Sequence, residues 1–343
     1  MIPDGEEFAR IDIPVLTTTG YFDSGEIGAL HYVREHQRRR PGAEHYLVIG
    51  PYDHPTGQWG TVSPLGRAQA VVRGFALDSA AALDLMALRY AWFDYVLRGG
   101  PKPALLADRV NFQVMGANRW RHAPSLAAMR NGSLRLYAAP GPAGGAPRLA
   151  DALPAGGTVV RQTVDLADRR DVDAALDTLV DLALDTWDVE SDAPRLANAI
   201  LFTSAPLTAP VEVSGLFSGR LEFIANKRDV DLGVTLYERT AAGRYLYLSH
   251  YWTRASLAGD PSRRTLLVPG RRQRIDFESG RLTSRLVAAG SRVVVAVSVI
   301  KQPGEQINYG TGKDVSDETI ADAGAPLQLR WLAGTFFELP TWR

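Results

Sequence analysis

The chain has 343 residues, with 38 basic and 38 acidic side chains and therefore no formal net charge. This balance argues against a nucleic-acid-binding protein, because such proteins carry a clustered basic surface. The sequence contains no cysteine, which excludes disulfides, thiolate metal sites and a cysteine nucleophile.

The length of the chain favours two domains. No stretch approaches the roughly 18 apolar residues of a membrane span. The first residues lack the charged start and apolar run of a signal peptide. The sequence therefore predicts no membrane partner, and the compartment stays open with the cytoplasm as the default.

The first predicted strand is a β-branched, apolar run at residues 13–19 that ends at Gly20. Residues 26–39 follow with apolar side chains at helical spacing, and residues 45–49 form a second short apolar run that ends at Gly50. Strand, helix and strand within so few residues predict a βαβ unit with a parallel sheet.

A longer helix is predicted next. Asp78 or Ser79 is expected to cap it, and residues 99–101, Gly-Gly-Pro, end it. Its apolar residues recur every three or four positions, at Leu85, Leu88, Trp92 and Val96. Aromatic side chains at this spacing indicate a core-facing surface rather than a substrate contact. Another strand is predicted at residues 110–115.

The composition changes after this point. Residues 138–157 are rich in Ala, Gly and Pro and are expected to form a loop, and the acidic stretch 165–192 is expected to be a surface excursion. From residue 201 onward, short alternating apolar runs are separated by turn residues. This spacing predicts an all-β sandwich or jelly roll.

Two residues near the first strands could carry chemistry. Asp23 follows the first predicted strand and His54 follows the second. Catalytic groups of open α/β sheets collect at the carboxyl ends of strands, and an acid followed by a histidine is the chain order of an α/β-hydrolase triad. A structural alternative stays open, because Asp23 and Glu26 also have the spacing of a helix capping box. His54 is expected to lie on a loop, within reach of neighbouring groups.

Two aromatic residues flank the histidine. Tyr52 and Trp59 are candidates for lining an acyl pocket. No Gly-x-Ser-x-Gly nucleophile elbow occurs anywhere in the sequence, and Ser24 is interpreted as a residue of the helix start. The sequence thus offers an acid and a base without an obvious nucleophile.

In this context the sequence resembles the X-Pro dipeptidyl-peptidase/cocaine-esterase (CocE/NonD) hydrolase family. Six segments carry the resemblance in the family's order, with Tyr52 at a position where the family usually has Trp: GYFD at 20–23, YLVIGPYDH at 46–54, WFDYVLRG at 92–99, VMGANRWR at 114–121, SAPL at 204–207 and DVDL at 229–232.

The resemblance implies the C-terminal portion of an α/β-hydrolase domain at residues 1–125, followed at 126–343 by a jelly-roll (galactose-binding-like) β-sandwich with an irregular lead-in at 138–200. It also implies acyl-serine hydrolysis of an ester, amide or peptide without a metal or organic cofactor. Asp23 would be the triad acid and His54 the base. The family's serine lies upstream in a Gly-x-Ser-Tyr-x-Gly elbow, so this chain alone is expected to be inactive.

The partners implied are a small-molecule ester, amide or peptide substrate, together with a serine-bearing N-terminal half or a second copy of the chain. The alternative is a non-catalytic β-sandwich binding module that carries a degenerate hydrolase remnant and associates with carbohydrate or protein.

Overall fold

A computed structural model of the protein describes residues 3–61, 70–142, 145–170, 188–194, 197–301 and 305–343. The α-helices of these residues are α1 (Gly5–Arg10), α2 (Glu26–Arg39), α3 (His54–Trp59) and α4 (Leu85–Arg98). None of the helices in the described part of the chain is long and apolar enough to cross a membrane.

The strands are more numerous than the helices. In chain order they are β1 (Val15–Gly20), β2 (His45–Gly50), β3 (Val71–Val72), β4 (Phe75–Ala76), β5 (Val110–Val114), β6 (Arg119–Ala123), β7 (Gly132–Ala139), β8 (Arg148–Ala150), β9 (Thr158–Val164), β10 (Glu190–Ser191), β11 (Ala199–Thr203), β12 (Val211–Ala225), β13 (Asp231–Arg239), β14 (Tyr245–Arg254), β15 (Arg272–Val287), β16 (Arg292–Val299), β17 (Leu327–Leu332) and β18 (Phe336–Trp342).

The first sheet has the order β1-β2-β5-β6. β1, β2 and β5 run parallel and β6 is antiparallel. The predicted βαβ unit is therefore present, with α2 as its crossover. Leu30 and Val33 of α2 are buried in one core with Leu47 and Ile49 of β2, whereas Val48 faces a second cluster that includes Trp92 of α4. Helices thus cover both faces of β2, which explains its continuous apolar run.

The second sheet contains the strands from β7 onward, which pair antiparallel except for β8 and β11. Its strands hydrogen-bond in the order β10-β14-β13-β16-β11-β8-β7-β18-β12-β17-β9, and β15 pairs with β12. The sheet also closes over itself, because the Tyr251 ring of β14 stacks on the Phe277 ring of β15 at 4.7 Å. The chain is thus mostly β-sheet, consistent with the predicted sandwich.

Several local predictions are wrong. Asp84 caps α4, because its carboxylate accepts the Ala87 N–H at 2.8 Å, whereas Asp78 caps a separate short turn. The expected loop at 138–157 contains β8, and the expected irregular lead-in at 138–200 contains β8 to β11. Most of the acidic stretch, residues 171–187, lies outside the described residues.

Polar contacts join the two sheets. The Met115 N–H donates to the Ser284 carbonyl at 3.0 Å, and the Leu286 N–H donates to the Met115 carbonyl at 2.9 Å. Nearby, the buried Glu212 carboxylate accepts from Arg119 at 2.7 Å and from Arg121 at 2.6 Å. The end of β5 is therefore tied to β15, and β6 is tied to β12.

A buried histidine pair links α2 to β2. The Nε2 of His36 lies 3.0 Å from the Ile11 carbonyl, and its Nδ1 lies 3.0 Å from the Nδ1 of His45. The Nε2 of His45 lies 2.8 Å from the Thr17 hydroxyl. A carbonyl only accepts, so neutral His36 protonated on Nε2 accepts from His45 Nδ1–H, and His45 accepts from Thr17.

This pair should make stability fall in acid. Burial, with a smaller contribution from His36, lowers the pKa of His45 from 6.5 to about 4. The unfolded chain then binds the proton more readily, so stability should fall by about 3 kcal/mol as pH drops from 6.5 to 4. Urea unfolding at several pH values tests this. His45→Gln should flatten the dependence, while His31→Gln on the exposed side of α2 should not; equal slopes for both variants would contradict it.

Candidate functional site

The site forms where β1 and β2 end side by side. The Tyr21 N–H donates to the Gly50 carbonyl at 2.9 Å, and the Phe22 N–H donates to the Tyr52 carbonyl at 3.0 Å. A Cβ at Gly20 would lie 2.0 Å from the Tyr52 carbonyl oxygen, so only glycine permits this approach. The loop that carries Asp23 therefore lies directly against the segment that leads to His54.

Asp23 is nearly buried, and several groups hold its carboxylate. Oδ1 accepts the Gly25 N–H at 2.8 Å, and Oδ2 accepts the Thr19 hydroxyl at 3.2 Å. The Nδ1 of His54 lies 3.0 Å from the same Oδ1. The structural alternative, a capping box with Glu26, is not formed, because α2 has Gly25 as its N-cap and no side-chain cap. The Asp23 carboxylate is directed towards the imidazole instead.

His54 is the first residue of α3, not a loop residue as predicted. Asp53 starts this short helix by accepting the Thr56 N–H at 3.1 Å. A carboxylate only accepts, so we assign a proton to Nδ1 of His54, and in the neutral ring Nε2 is the acceptor. The Nε2 of Gln58 lies 2.8 Å from the Nε2 of His54 and donates to it.

The arrangement suits proton transfer. Asp23 holds the ring in one tautomer and orientation, and 46% of the His54 side chain is exposed. The nitrogen opposite Asp23 is thus at the surface, where a base can meet a reacting group. Gln58, on the next turn of α3, now contacts this nitrogen and would have to give way to such a group.

Arg89 of α4 stabilises the other end of α3. Its guanidinium donates to the carbonyls of Gly57 and Gln58, and it donates to the Thr18 hydroxyl of β1 at 2.8 Å. The helix that begins with His54 is therefore fixed at its first turn by Asp53 and at its last turn by α4.

A contact from the second sheet holds the Asp23 loop from behind. One guanidinium nitrogen of Arg281 donates to the Asp23 carbonyl at 2.8 Å and to the Glu26 carboxylate at 3.4 Å, and the other lies 3.5 Å from the Ser24 carbonyl. The Leu282 N–H donates to the other Glu26 oxygen at 2.7 Å. The loop that presents the acid is thus anchored to β15.

Glu26 is fully buried at this anchor. Burial raises the pKa of Glu26 well above its usual range, while Arg281 and the Leu282 N–H oppose the rise. Beside them, burial and the Arg281 charge lower the pKa of His250 to about 3. Sequence reasoning missed this anchor. Arg281 is 258 residues from Asp23 and lies in no motif, so no local signal could have found it.

The two predicted pocket residues lie in different environments. Tyr52 is fully buried among α4 and β2 side chains, and its hydroxyl donates to the Ala81 carbonyl at 2.9 Å. Burial raises its pKa, so the phenol stays protonated. This corrects the prediction for Tyr52, which packs in the core of the described residues instead of lining an open pocket among them. Trp59 ends α3 and is 43% exposed, and its role in substrate binding stays a prediction.

Among the described residues, no group of three His, Asp or Glu side chains could hold a metal ion.

Most of the chain matches one family model. Residues 107–326 match the model of the X-Pro dipeptidyl-peptidase C-terminal non-catalytic domain. The chain belongs to this family. The resemblance seen in the sequence is thereby confirmed, with this chain corresponding to the C-terminal portion of such hydrolases.

Solved structures show the same fold at low sequence identity. An aminopeptidase from a marine-sediment Thaumarchaeota archaeon has a TM-score of 0.79 at 18% identity, over 99% of this chain and 57% of its own. An α-amino acid ester hydrolase has a TM-score of 0.78 at 20% identity, over 98% and 57%. A CocE/NonD family hydrolase from Staphylococcus aureus has a TM-score of 0.62 at 13% identity, over 98% and 55%.

The chain therefore spans a little over half the length of these structures. No curated protein matched the sequence.

Proposed function

We propose that the chain is the acid–base half of a serine hydrolase of the X-Pro dipeptidyl-peptidase/cocaine-esterase type, acting on an ester, amide or peptide bond. The first sheet would be the last part of an α/β-hydrolase core. The observation that carries the proposal is the 3.0 Å contact between Asp23 and a half-exposed His54 at the carboxyl ends of adjacent parallel strands.

In this mechanism the Nε2 of His54 takes the proton of a serine hydroxyl as the serine attacks the acyl carbon, and then passes the proton to the leaving group. Asp23 keeps the proton of the neutral ring on Nδ1 and stabilises the imidazolium that forms. A water molecule repeats the sequence to release the acid.

The serine would come from a segment outside this sequence, because the sequence has no nucleophile elbow and the chain spans little more than half of the solved structures it matches. β1 ends the first sheet, so one of its edges has no strand partner among the described residues. α4 lies over β1, since Arg89 binds Thr18. On the outer side of α4, Tyr90, Phe93 and Leu97 are exposed at helical spacing.

We propose that the serine-bearing segment extends the sheet at this edge and covers the apolar stripe of α4. An open parallel edge and an exposed apolar stripe are surfaces that proteins normally cover. The completed sheet would bring the serine to the Nε2 of His54, with Gln58 displaced.

Reassembly of the chain with the segment encoded upstream tests two proposals: that this segment supplies the serine, and that it covers the sheet edge and α4. The purified chain should not hydrolyse p-nitrophenyl acyl esters or X-Pro anilides. The same chain, joined to or co-expressed with the coding segment directly upstream, should hydrolyse one of these classes and be blocked by a fluorophosphonate. Sedimentation should show a one-to-one complex, and Leu97→Glu should weaken it whereas Leu153→Glu, an exposed leucine outside α4, should not.

A homodimer without the added segment would favour self-association as the use of this surface. Turnover by the chain alone, blocked by the fluorophosphonate, would refute the proposed division of the triad.

The second candidate is a non-catalytic binding module. The description of the family model as a non-catalytic domain favours it, as does the Gln58 side chain on the Nε2 of His54. Absence of a serine elbow in the adjacent coding sequence, together with an inactive reassembled protein, would select this candidate.

A further inference from the structure

A groove of about 680 Å³ lies on the outer face of the second sheet. Its floor is formed by β9, β17 and β12, and the segment Pro269–Gly270 forms a wall. This wall is held in place, because the Gly270 N–H donates to the Ala225 carbonyl at 2.8 Å. The volume falls within the range of small-molecule sites. The groove belongs to a different sheet from Asp23 and His54.

Two arginines face each other across the floor. Arg161 of β9 and Arg330 of β17 are direct partners in the antiparallel register. In the described parts of the chain, neither arginine has a carboxylate within ion-pair distance. The side chain of neither arginine makes a hydrogen bond there. Like charges directly opposite each other destabilise a sheet. By contrast, Arg220 pairs with Asp276 at 2.6 Å and Arg135 pairs with Glu338 at 2.6 Å elsewhere in this sheet.

Uncharged donors adjoin the arginine pair on the same face. Thr163 and Gln328 are also direct partners, each two residues from an arginine, so the alternation of a strand places all four side chains on one side. The Thr163 hydroxyl and the Gln328 amide make no hydrogen bond within the described residues. On the other side of Arg330, its register partner Ile224 supplies an apolar edge.

We propose that this groove binds a small molecule that carries a carboxylate beside neutral hydroxyl or amide groups. The two planar guanidinium groups present forked donors that match the two oxygens of a carboxylate, and an anion between them offsets their mutual repulsion. Thr163 and Gln328 bind the adjoining neutral groups, and Ile224 with Pro269 packs against the apolar part of the ligand.

Calorimetric titration of the purified chain tests the proposal with three probes: tri-glutamate, tri-galacturonate and inorganic phosphate. Tri-glutamine and galactotriose serve as uncharged counterparts. At least one carboxylate probe should bind at least about 10-fold more tightly than its uncharged counterpart. Tighter binding of tri-glutamate would indicate a peptide source, and tighter binding of tri-galacturonate would indicate a saccharide source. Raising the salt concentration from about 20 to about 200 mM should weaken this binding.

Variants locate the binding in the groove. Arg161→Gln and Arg330→Gln should each lower the affinity for the carboxylate probe by about 10-fold or more. This is the usual loss for one charge-assisted hydrogen-bonding partner. Both should unfold at the same or a higher temperature than the unmodified chain, because each relieves the repulsion. Arg148→Gln, at an exposed position of β8, is the matched control and should bind normally.

Three results would overturn the proposal. The first is no carboxylate binding at probe concentrations of about 10 mM, well above ordinary ligand dissociation constants. The second is that the uncharged counterparts or phosphate bind as tightly as the carboxylates. The third is an equal loss of binding in Arg148→Gln and in the groove variants. None of these results depends on Asp23, His54 or hydrolytic activity, so the proposed hydrolase can fail while this proposal stands, and the reverse also holds.

Discussion

In the reassembled hydrolase, Asp23→Asn should lower kcat by a factor on the order of 10⁴. The Gly25 N–H needs an acceptor, so the amide oxygen of the substituted side chain should take the position of Oδ1, and its NH₂ group should face Thr19, whose hydroxyl can turn to accept. The local geometry would then persist while the negative charge is lost. The imidazolium that forms on His54 would have no counter-charge, which is why the cost should fall on kcat.

The measurement is steady-state kinetics of both proteins with the same substrate. Asp84→Asn is the matched control, because Asp84 caps α4 and asparagine caps a helix equally well. His54→Ala should be at least as slow as Asp23→Asn, and the double variant should be no slower than His54→Ala, since members of a triad act as one unit. A loss of less than about 10-fold in Asp23→Asn would identify Asp23 as a residue that only shapes its loop.

The second large effect concerns stability. Arg281→Met should destabilise the isolated chain by about 3–5 kcal/mol at pH 7, because it leaves Glu26 buried without its partner. The side chain of Glu26 is fully buried and that of Arg281 is 12% exposed, so solvent screens the pair weakly. The exposed pair of Arg98 and Asp94 provides the comparison, and Arg98→Met should cost no more than about 1 kcal/mol.

The pH dependence of this loss distinguishes charge from packing. With Arg281 absent, the Leu282 N–H still opposes the raised pKa of Glu26, but the larger opposing effect is lost. A carboxyl whose pKa is raised by folding binds its proton more readily in the folded state, so stability falls as pH rises above about 4.5. Urea unfolding should therefore show a larger difference in the free energy of unfolding between Arg281→Met and the unmodified chain at pH 7 than at about pH 4.5. A difference independent of pH would mean that the lost contact is only packing.

Much of the framework could be predicted from local sequence. The apolar runs of β1 and β2 and the helical spacing between them specify the parallel pair, because the burial of an element leaves an apolar pattern within a few residues. The alternating runs after residue 201 indicated antiparallel strands, because burial of only one face leaves an alternating pattern. Boundaries were less accurate, because the sequence predicted only short strands after residue 201, whereas β12 has 15 residues.

The candidate site also has a part that the local sequence predicted and a part that it did not. Asp23 and His54 were found by their positions after two strands and by short motifs, both of which are local properties of the chain. The environment of Tyr52 was mispredicted, because its burial depends on α4, which begins at Leu85 and packs against it from far along the chain.

By itself, the sequence determined the family, indicated the two kinds of sheet and singled out the pair of residues that we propose for proton transfer. Only the tertiary structure decided that Arg281 of β15 anchors the Asp23 loop through Glu26, and that Gln58 lies against the Nε2 of His54. The physical reason is that periodicity and motifs record which face of an element is buried, whereas a buried ion pair depends on which distant element packs there. Asp23 and His54 are specified by their neighbours in sequence, and their geometry is specified by the second sheet and by α4.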